Sequence, residues 1–230
     1  MRKRFAEEME VLKELVVRMG GLVETAIHRG MRALSERDPA ASETVLHEIE
    51  PEINRLEVEI DERALRLFAL QQPLAADLRF LAAVVKINNN LERMGDLAVN
   101  ICQAVPHLLA QPVTPPLVDL PLMAARAEMM VREALDALLA RDAEQARRVL
   151  ETDEEVDAAR DQIFRELIRR MIADPAIVER ALSLIFVARN LERLADHATN
   201  IAEEVIFWVE GVDVRHHQWE SAAGRVAPRA

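Results

Sequence analysis

Two stretches of the chain carry acids at a spacing that suits cation binding. The first reads Asn90-Leu91-Glu92-Arg93-Met94-Gly95-Asp96-Leu97-Ala98-Val99-Asn100-Ile101. The second reads Asn190-Leu191-Glu192-Arg193-Leu194-Ala195-Asp196-His197-Ala198-Thr199-Asn200-Ile201, each residue 100 positions after its counterpart (192 − 92 = 100). Glu92, Asp96 and Asn100 are four residues apart, as are Glu192, Asp196 and Asn200, and residues at that spacing stack along one face of a helix. Like charges there destabilise a helix by about 0.2–0.5 kcal/mol, where the usual choice is Glu with Lys. A second acidic line precedes each stretch: Glu50, Asn54, Glu57 and Asp61 before the first, Asp153 and Asp157 before the second. Each half of the chain is therefore expected to present two parallel acidic rows, the later one roughly opposite its helix's apolar seam. Clustered carboxylates repel and raise one another's pKa unless a cation neutralises them. Carboxylate and amide oxygens are hard ligands, suited to magnesium, manganese, calcium or iron rather than to a thiolate zinc site. The metal reading fails if the acids are scattered, or if each is already matched to its own lysine or arginine.

Other chemistries find less support. No Glu-x-x-His occurs, which argues against a ferritin-like di-iron core. His197 points about 100° away from Asp196 around the helix and reads as a surface residue; His216-His217 falls in the tail. Arg93 and Arg193 are placed to offset nearby carboxylates, and Asn90 and Asn190 read as polar-face residues. Cys102 has no base near it in sequence and reads as a small buried hydrophobe. There is no phosphate-cradling glycine loop and no Ser/His/Asp pattern, so an enzyme is not expected.

The elements that would carry the acids are all helical. Phe5, Met9, Leu12, Val16, Met19, Val23, Ile27 and Met31 mark a first helix from about Arg2 to Ser35. Gly20-Gly21 interrupts it, each glycine costing roughly 1 kcal/mol against alanine, so the helix bends there or a neighbour packs close. Asp38-Pro39 is a cap followed by a proline start for a second helix, with Val45, Ile49, Ile53, Leu56, Ile60 and Leu67 inward; Pro51 should kink or divide it. Pro73 opens a third helix, whose Phe80, Val84, Ile87, Leu91, Met94, Ala98, Ile101 and Val105 form a heptad seam of the kind used in bundles. Pro106 ends that helix or forms its last turn, and Gln111 to Pro116 is a stiff, helix-excluding linker. The plan then repeats: a helix from about Leu117 to Ala140, one capped by Asp142, and one started at Asp174-Pro175 and stopped by Gly211. The expected fold is all-α, six long helices in two tandem, pseudo-symmetric three-helix bundles. The bundles span residues 1–110 and 117–211, joined by the linker 111–116 and followed by a weakly patterned tail, 212–230.

Composition agrees. The 230 residues are half apolar and carry a formal net charge of −11, which argues against nucleic acid and suits cations or a basic partner. One cysteine excludes an internal disulfide and is consistent with a reducing compartment. The basic start is followed by Glu7, Glu8 and Glu10 instead of an apolar signal region, and no apolar run is long enough to insert in a membrane. A cytoplasmic protein is expected.

Leu56-Glu57-Val58-Glu59-Ile60-Asp61-Glu62, Gln72-Pro73 with Asp77-Leu78-Arg79, both Leu-Glu-Arg-x-x-Asp segments, and Val209-Glu210-Gly211 with Val214-Arg215-His216 look like family signatures. In these the chain resembles the PhoU family, the phosphate-transport accessory and signalling proteins of bacteria, over residues 1–217. The resemblance implies the same two bundles and metal clusters on their surfaces. Carried over, the ligands are Glu57, Asp61, Glu92 and Asp96 in the first bundle and Asp153, Asp157, Glu192 and Asp196 in the second, with Glu50, Asn54, Asn100 and Asn200 as additions. The implied cofactors are divalent or trivalent ions: iron, manganese, magnesium or zinc. Asn54 stands where the second repeat has Asp157, and His197 where the first has Leu97, so the two sites are expected to differ. The implied function is negative regulation of phosphate uptake and of phosphate-starvation signalling. The implied partners are the ATPase of the phosphate ABC transporter, the membrane sensor histidine kinase and a second copy in a homodimer, at the inner face of the membrane through those partners. The alternatives are a metal-storage or buffering protein and a metal-free helical adaptor.

Overall fold

The computed structural model describes residues 2–71, 75–111 and 117–215. Helix α1 is Arg2–Ser35. Helix α2 (Pro39–Thr44) continues through a π turn, Val45–Ile49, into α3 (Glu50–Gln71), and α4 is Ala75–Leu109. Then come α5 (Leu120–Ala140), α6 (Ala143–Ala173), a 3₁₀ turn at Pro175–Ile177, and α7 (Val178–Glu210). With α2 and α3 forming one rod, six long helices make the all-α architecture: α1, α2–α3 and α4 pack together, and so do α5, α6 and α7. No strand occurs among the described residues.

The first turn of each repeat is built by the same local chemistry. Arg37 and Arg141 take left-handed backbone, with φ 56° and 55°. The Asp38 amide then donates back to the Ala33 carbonyl (3.1 Å) and the Asp142 amide to the Ala137 carbonyl (3.0 Å), closing α1 and α5 with a six-to-one bond. The same aspartates cap the next helices: Asp38 accepts from the Ala40 amide (3.0 Å), and Asp142 from the amides of Glu144 (2.9 Å) and Gln145 (3.0 Å). Proline decides two other details. Pro51 has no N–H for the His47 carbonyl, and the rod divides just before it, where the Glu50 amide reaches back to the Val45 carbonyl. Pro106 lies inside α4, which runs on to Leu109. The fourth long helix starts at Leu120, not at Leu117, because Asp119 caps it by accepting from the Leu122 amide (3.1 Å), with Pro121 in the first turn. Pro73, the prolines of the 111–116 linker, and His216-His217 lie outside the described residues.

One apolar cluster, from Met9 to Val214, runs through both bundles. Beyond its own bundle α4 lies along α7, and α1 along α5, so the two halves meet over two helix pairs. Of the two possibilities for Gly20-Gly21, close packing holds. A Cβ on Gly20 would sit 2.5 Å from a methyl of Leu135 on α5, whereas one on Gly21 would meet open space. Phe80 of α4 stacks at a tilt on Trp208 of α7, centroids 4.8 Å apart, and the Arg79 Nε donates to the Trp208 carbonyl (3.3 Å). Gly211, φ 73°, ends α7, and Val214 beyond it returns to the core.

Candidate functional site

In the first bundle the acids gather in the furrow between α3 and α4. Glu92 is not opposite the apolar seam, as the spacing suggested; its side chain is only 17% exposed and turned toward α3. The reason is geometric: α4 is covered by α3 on one flank and α7 on another, so the buried arc is wider than a heptad seam. Burial raises the Glu92 pKa, with Asp96 and Glu57 adding to the rise and Arg93 opposing it. Arg93 lies 3.5 Å from both Glu92 and Asp96. Asn54 donates to Glu50 (2.6 Å). Asp61 accepts from Asn88 (2.9 Å), whose amide also donates to the Glu57 carbonyl (2.9 Å). Asn88 is buried, and its Oδ1 has no partner among the described residues. Glu57 and Asp61 face a cleft of about 480 Å³ that they share with Asn90, Asn200 and Glu203, so this row belongs to the junction of the two bundles.

The second bundle concentrates its acids more tightly. Arg160 of α6 binds Glu192 of α7, Asp157 (3.1 Å) and Asp161 (3.0 Å). Desolvation, then Glu192, Asp153 and Asp157, push Asp196 up to about 6 from 3.8, against Arg160. Asp153 is raised by burial, Asp157 and Glu192. Neither Asp153 nor Asp196 forms an ion pair among the described residues. Aligned through their contacts with the later helices, α3 and α6 are offset by 103 residues (157 − 54, 153 − 50 and 160 − 57 all equal 103). Glu57 therefore faces Glu92 where Arg160 faces Glu192. The difference between the sites goes beyond Asn54 for Asp157: the second repeat also carries a cation in its acidic row.

Two predicted additions leave the rows. Each four-residue step advances about 40° around a helix, so eight residues turn about 80°, out of the furrow and into the α4–α7 seam. Asn200 accordingly reaches Asn90 across that seam (3.4 Å), and Asn100 lines a notch with Gln103, His107, Leu182 and Phe186. His197 is no surface residue: it is half-buried in the same seam, its Nδ1 2.8 Å from the Asn90 Oδ1. Burial, Arg193 and Arg93 lower its pKa. Asn190 is buried, donating to the Phe186 carbonyl (2.7 Å). Arg93 offsets carboxylates as expected; Arg193 does not. Cys102 is buried, and burial pushes its thiol up to about 12. The sequence reading missed the Lys86–Glu204 pair, with both carboxylate oxygens within hydrogen-bond distance of Nζ (2.9 and 3.0 Å) and Glu204 5% exposed. A signal was present: Glu204 aligns with Ala104, an apolar residue beside the seam residue Val105 (204 − 104 = 100).

The oxygen donors fit a multivalent cation in kind, and the raised acids show like charge only partly offset. Yet among the described residues no group of three or more His, Cys, Asp or Glu is arranged to hold an ion. Gathering them would require Arg93 and Arg160 to release carboxylates.

The family model described as PhoU domain matches the chain twice, at residues 16–105 and 120–205. The chain belongs to the PhoU family. It is 41% identical to the phosphate-specific transport system accessory protein PhoU homolog of Zymomonas mobilis, over 91% of this chain and 88% of the relative. It is 33% identical to the phosphate-specific transport system accessory protein PhoU of Escherichia coli, over 93% and 88%. The crystal structure of PhoU from Pseudomonas aeruginosa superposes with a TM-score of 0.87 at 37% identity, covering 90% of this chain and all of that one. The phosphate transport system regulatory protein PhoU from Streptococcus pneumoniae gives 0.83 at 26% identity, covering 91% and 99%. No described helix is long and apolar enough to cross a membrane.

Proposed function

We propose that this PhoU-family chain is an accessory regulator of phosphate uptake and phosphate-starvation signalling. It acts in the cytoplasm as a non-enzymatic, metal-binding adaptor between the phosphate ABC transporter's ATPase and the membrane sensor kinase, as a homodimer. The observation that carries the metal part is the pair of acids, Asp153 and Asp196, crowded by Glu192 and Asp157 with one arginine among them. A bound divalent or trivalent ion would supply the missing positive charge. Asp153, Asp157, Glu192 and Asp196 would hold it in the second bundle, and Glu57, Asp61, Glu92 and Asp96 in the first, with Glu50 and Asn54 as additions. The accessory role rests on the named function of relatives that align along most of this chain.

Elemental analysis of protein purified without chelator, followed by capture of the transporter ATPase, tests the reading. Retained metal and capture, both lost when Asp153, Asp157, Glu192 and Asp196 become alanine, are expected. Metal without capture would identify a buffering protein. Capture without metal would identify a metal-free adaptor, the reading that the Arg93 and Arg160 ion pairs favour.

A further inference from the structure

The α4–α7 crossing has two ends built from matching positions 100 residues apart. At one end Lys86 and Glu204 form their ion pair on the wall of the polar cleft of about 480 Å³; at the other the same positions are Phe186 and Ala104. There the notch of about 320 Å³ exposes mostly apolar surface, from Ala104, Leu182 and Phe186, with Asn100, Gln103, His107 and Ser183 at its edges. Phe186 is 46% exposed and Leu182 55%. Val178, also exposed, precedes them by one turn, and Arg189 and Arg193 follow. At about 100° per residue these five lie within about 80° of arc, and Asp196 follows on the same arc, so this face of α7 runs from apolar through two cations to an acid. Neither arginine makes an ion pair among the described residues, in a chain of net charge −11.

We infer that this notch and stripe dock an amphipathic helix of a partner polypeptide, one that presents a large apolar side chain to Phe186 and carboxylates to Arg189 and Arg193. The concave, mostly apolar notch suits a knob from a helix, in the manner of helix-in-groove recognition. The two free cations lie where carboxylates one or two turns farther along such a helix would meet them. An anionic bilayer is the poorer occupant: it is flat, whereas Leu182 and Phe186 line a notch. The proposal rests on the adaptor reading for its setting, but its test needs neither metal nor transporter, so either can fail alone.

The probe is a synthetic amphipathic helix of about 18 residues, long enough for helical structure, with leucine on one face and glutamate along its flank. Fluorescence anisotropy of the labelled probe with the full chain should show saturable binding. Phe186→Ser should weaken it about tenfold or more, since the ring's burial is lost. Leu182→Ser, at a more exposed position, should do the same if the first variant folds poorly. Arg189→Glu with Arg193→Glu should abolish binding of the glutamate helix and create binding of a lysine-flanked one. Absence of binding, indifference to Phe186→Ser, or indifference to the charge reversal overturns the proposal. So does tighter binding to phosphatidylserine vesicles than to the helix. A fall in the solution mass of Phe186→Ser by light scattering, with no probe binding to the native chain, would make the stripe a contact between copies and would also overturn it.

Discussion

At one end of the α4–α7 crossing, Lys86 and Glu204 bridge the two bundles, with Lys86 also above the Phe207 ring, 5.5 Å from its centroid. At the other end Phe186 and Ala104 occupy the corresponding positions, and the junction exposes apolar surface instead of an ion pair. The furrows differ in the same way: Glu57 faces Glu92 in the first bundle, Arg160 faces Glu192 in the second. Matching backbones have been given different side chains at the places where the bundles touch or where acids meet. What the difference teaches is that duplication set the scaffold, whereas a few substitutions set which end is ion-paired and which furrow is charge-compensated.

The comparison breaks most visibly at the ion-paired end. Lys86→Met would leave the Glu204 carboxylate in the interface with Arg215 as a remaining charged neighbour, and should cost about 2 kcal/mol of stability in urea unfolding. The double change Lys86→Phe with Glu204→Ala transplants the apolar end and should cost less than about 1 kcal/mol, because no unpaired carboxylate remains. A double variant as unstable as the single would mean that the two ends are not interchangeable. Next in size is Asn88→Ala, which copies Ala188 from the second repeat. It removes donors from Asp61 and from the Glu57 carbonyl, and should cost about 1–2 kcal/mol. An unchanged midpoint would show that the penalty of the orphaned Oδ1 already cancels those bonds.

Smaller effects come from the furrows. The Asp196 pKa is raised from 3.8 to about 6, so the folded state favours its protonated form. Its contribution to stability is thus present below 3.8 and lost as the pH rises through about 6. Asp196→Asn should therefore stabilise the chelator-treated protein at neutral pH by about 1 kcal/mol after solvent screening, or roughly 2–4 °C in Tm. It should also flatten the Tm profile between those two pH values. A lower Tm would sink the crowding argument. Glu92→Gln should give a smaller gain in the same direction, since Asn54 replaces the acid that crowds the second furrow and Arg93 lies close by. If the two gains were equal, the asymmetry of the furrows would have no energetic consequence.

Much of this was legible without coordinates. The caps at Asp38, Asp142 and Asp174, the stop at Gly211 and the seam residues of α4 and α7 depend on neighbours within a few positions, and local chemistry is written in local order. The 100-residue repeat likewise exposed Glu92, Asp96, Glu192 and Asp196 as counterparts. What was not legible lies between elements. The arc buried on α4 depends on which helices flank it, so Glu92, His197, Asn100 and Asn200 lie in surroundings that their spacing does not predict.

Sequence alone determined that the chain is helical, doubled, and acidic at matching places, because hydrophobic period, capping residues and repeats are properties of order along the chain. Only the tertiary structure decided that the halves share a core along α1–α5 and α4–α7, that Arg160 sits among the acids of one half, and that Lys86 meets Glu204. Those outcomes depend on the rotation and register of helices far apart in the chain. A turn of 40° per four-residue step moves a side chain from solvent to interface, and no local pattern records where the facing helix lies.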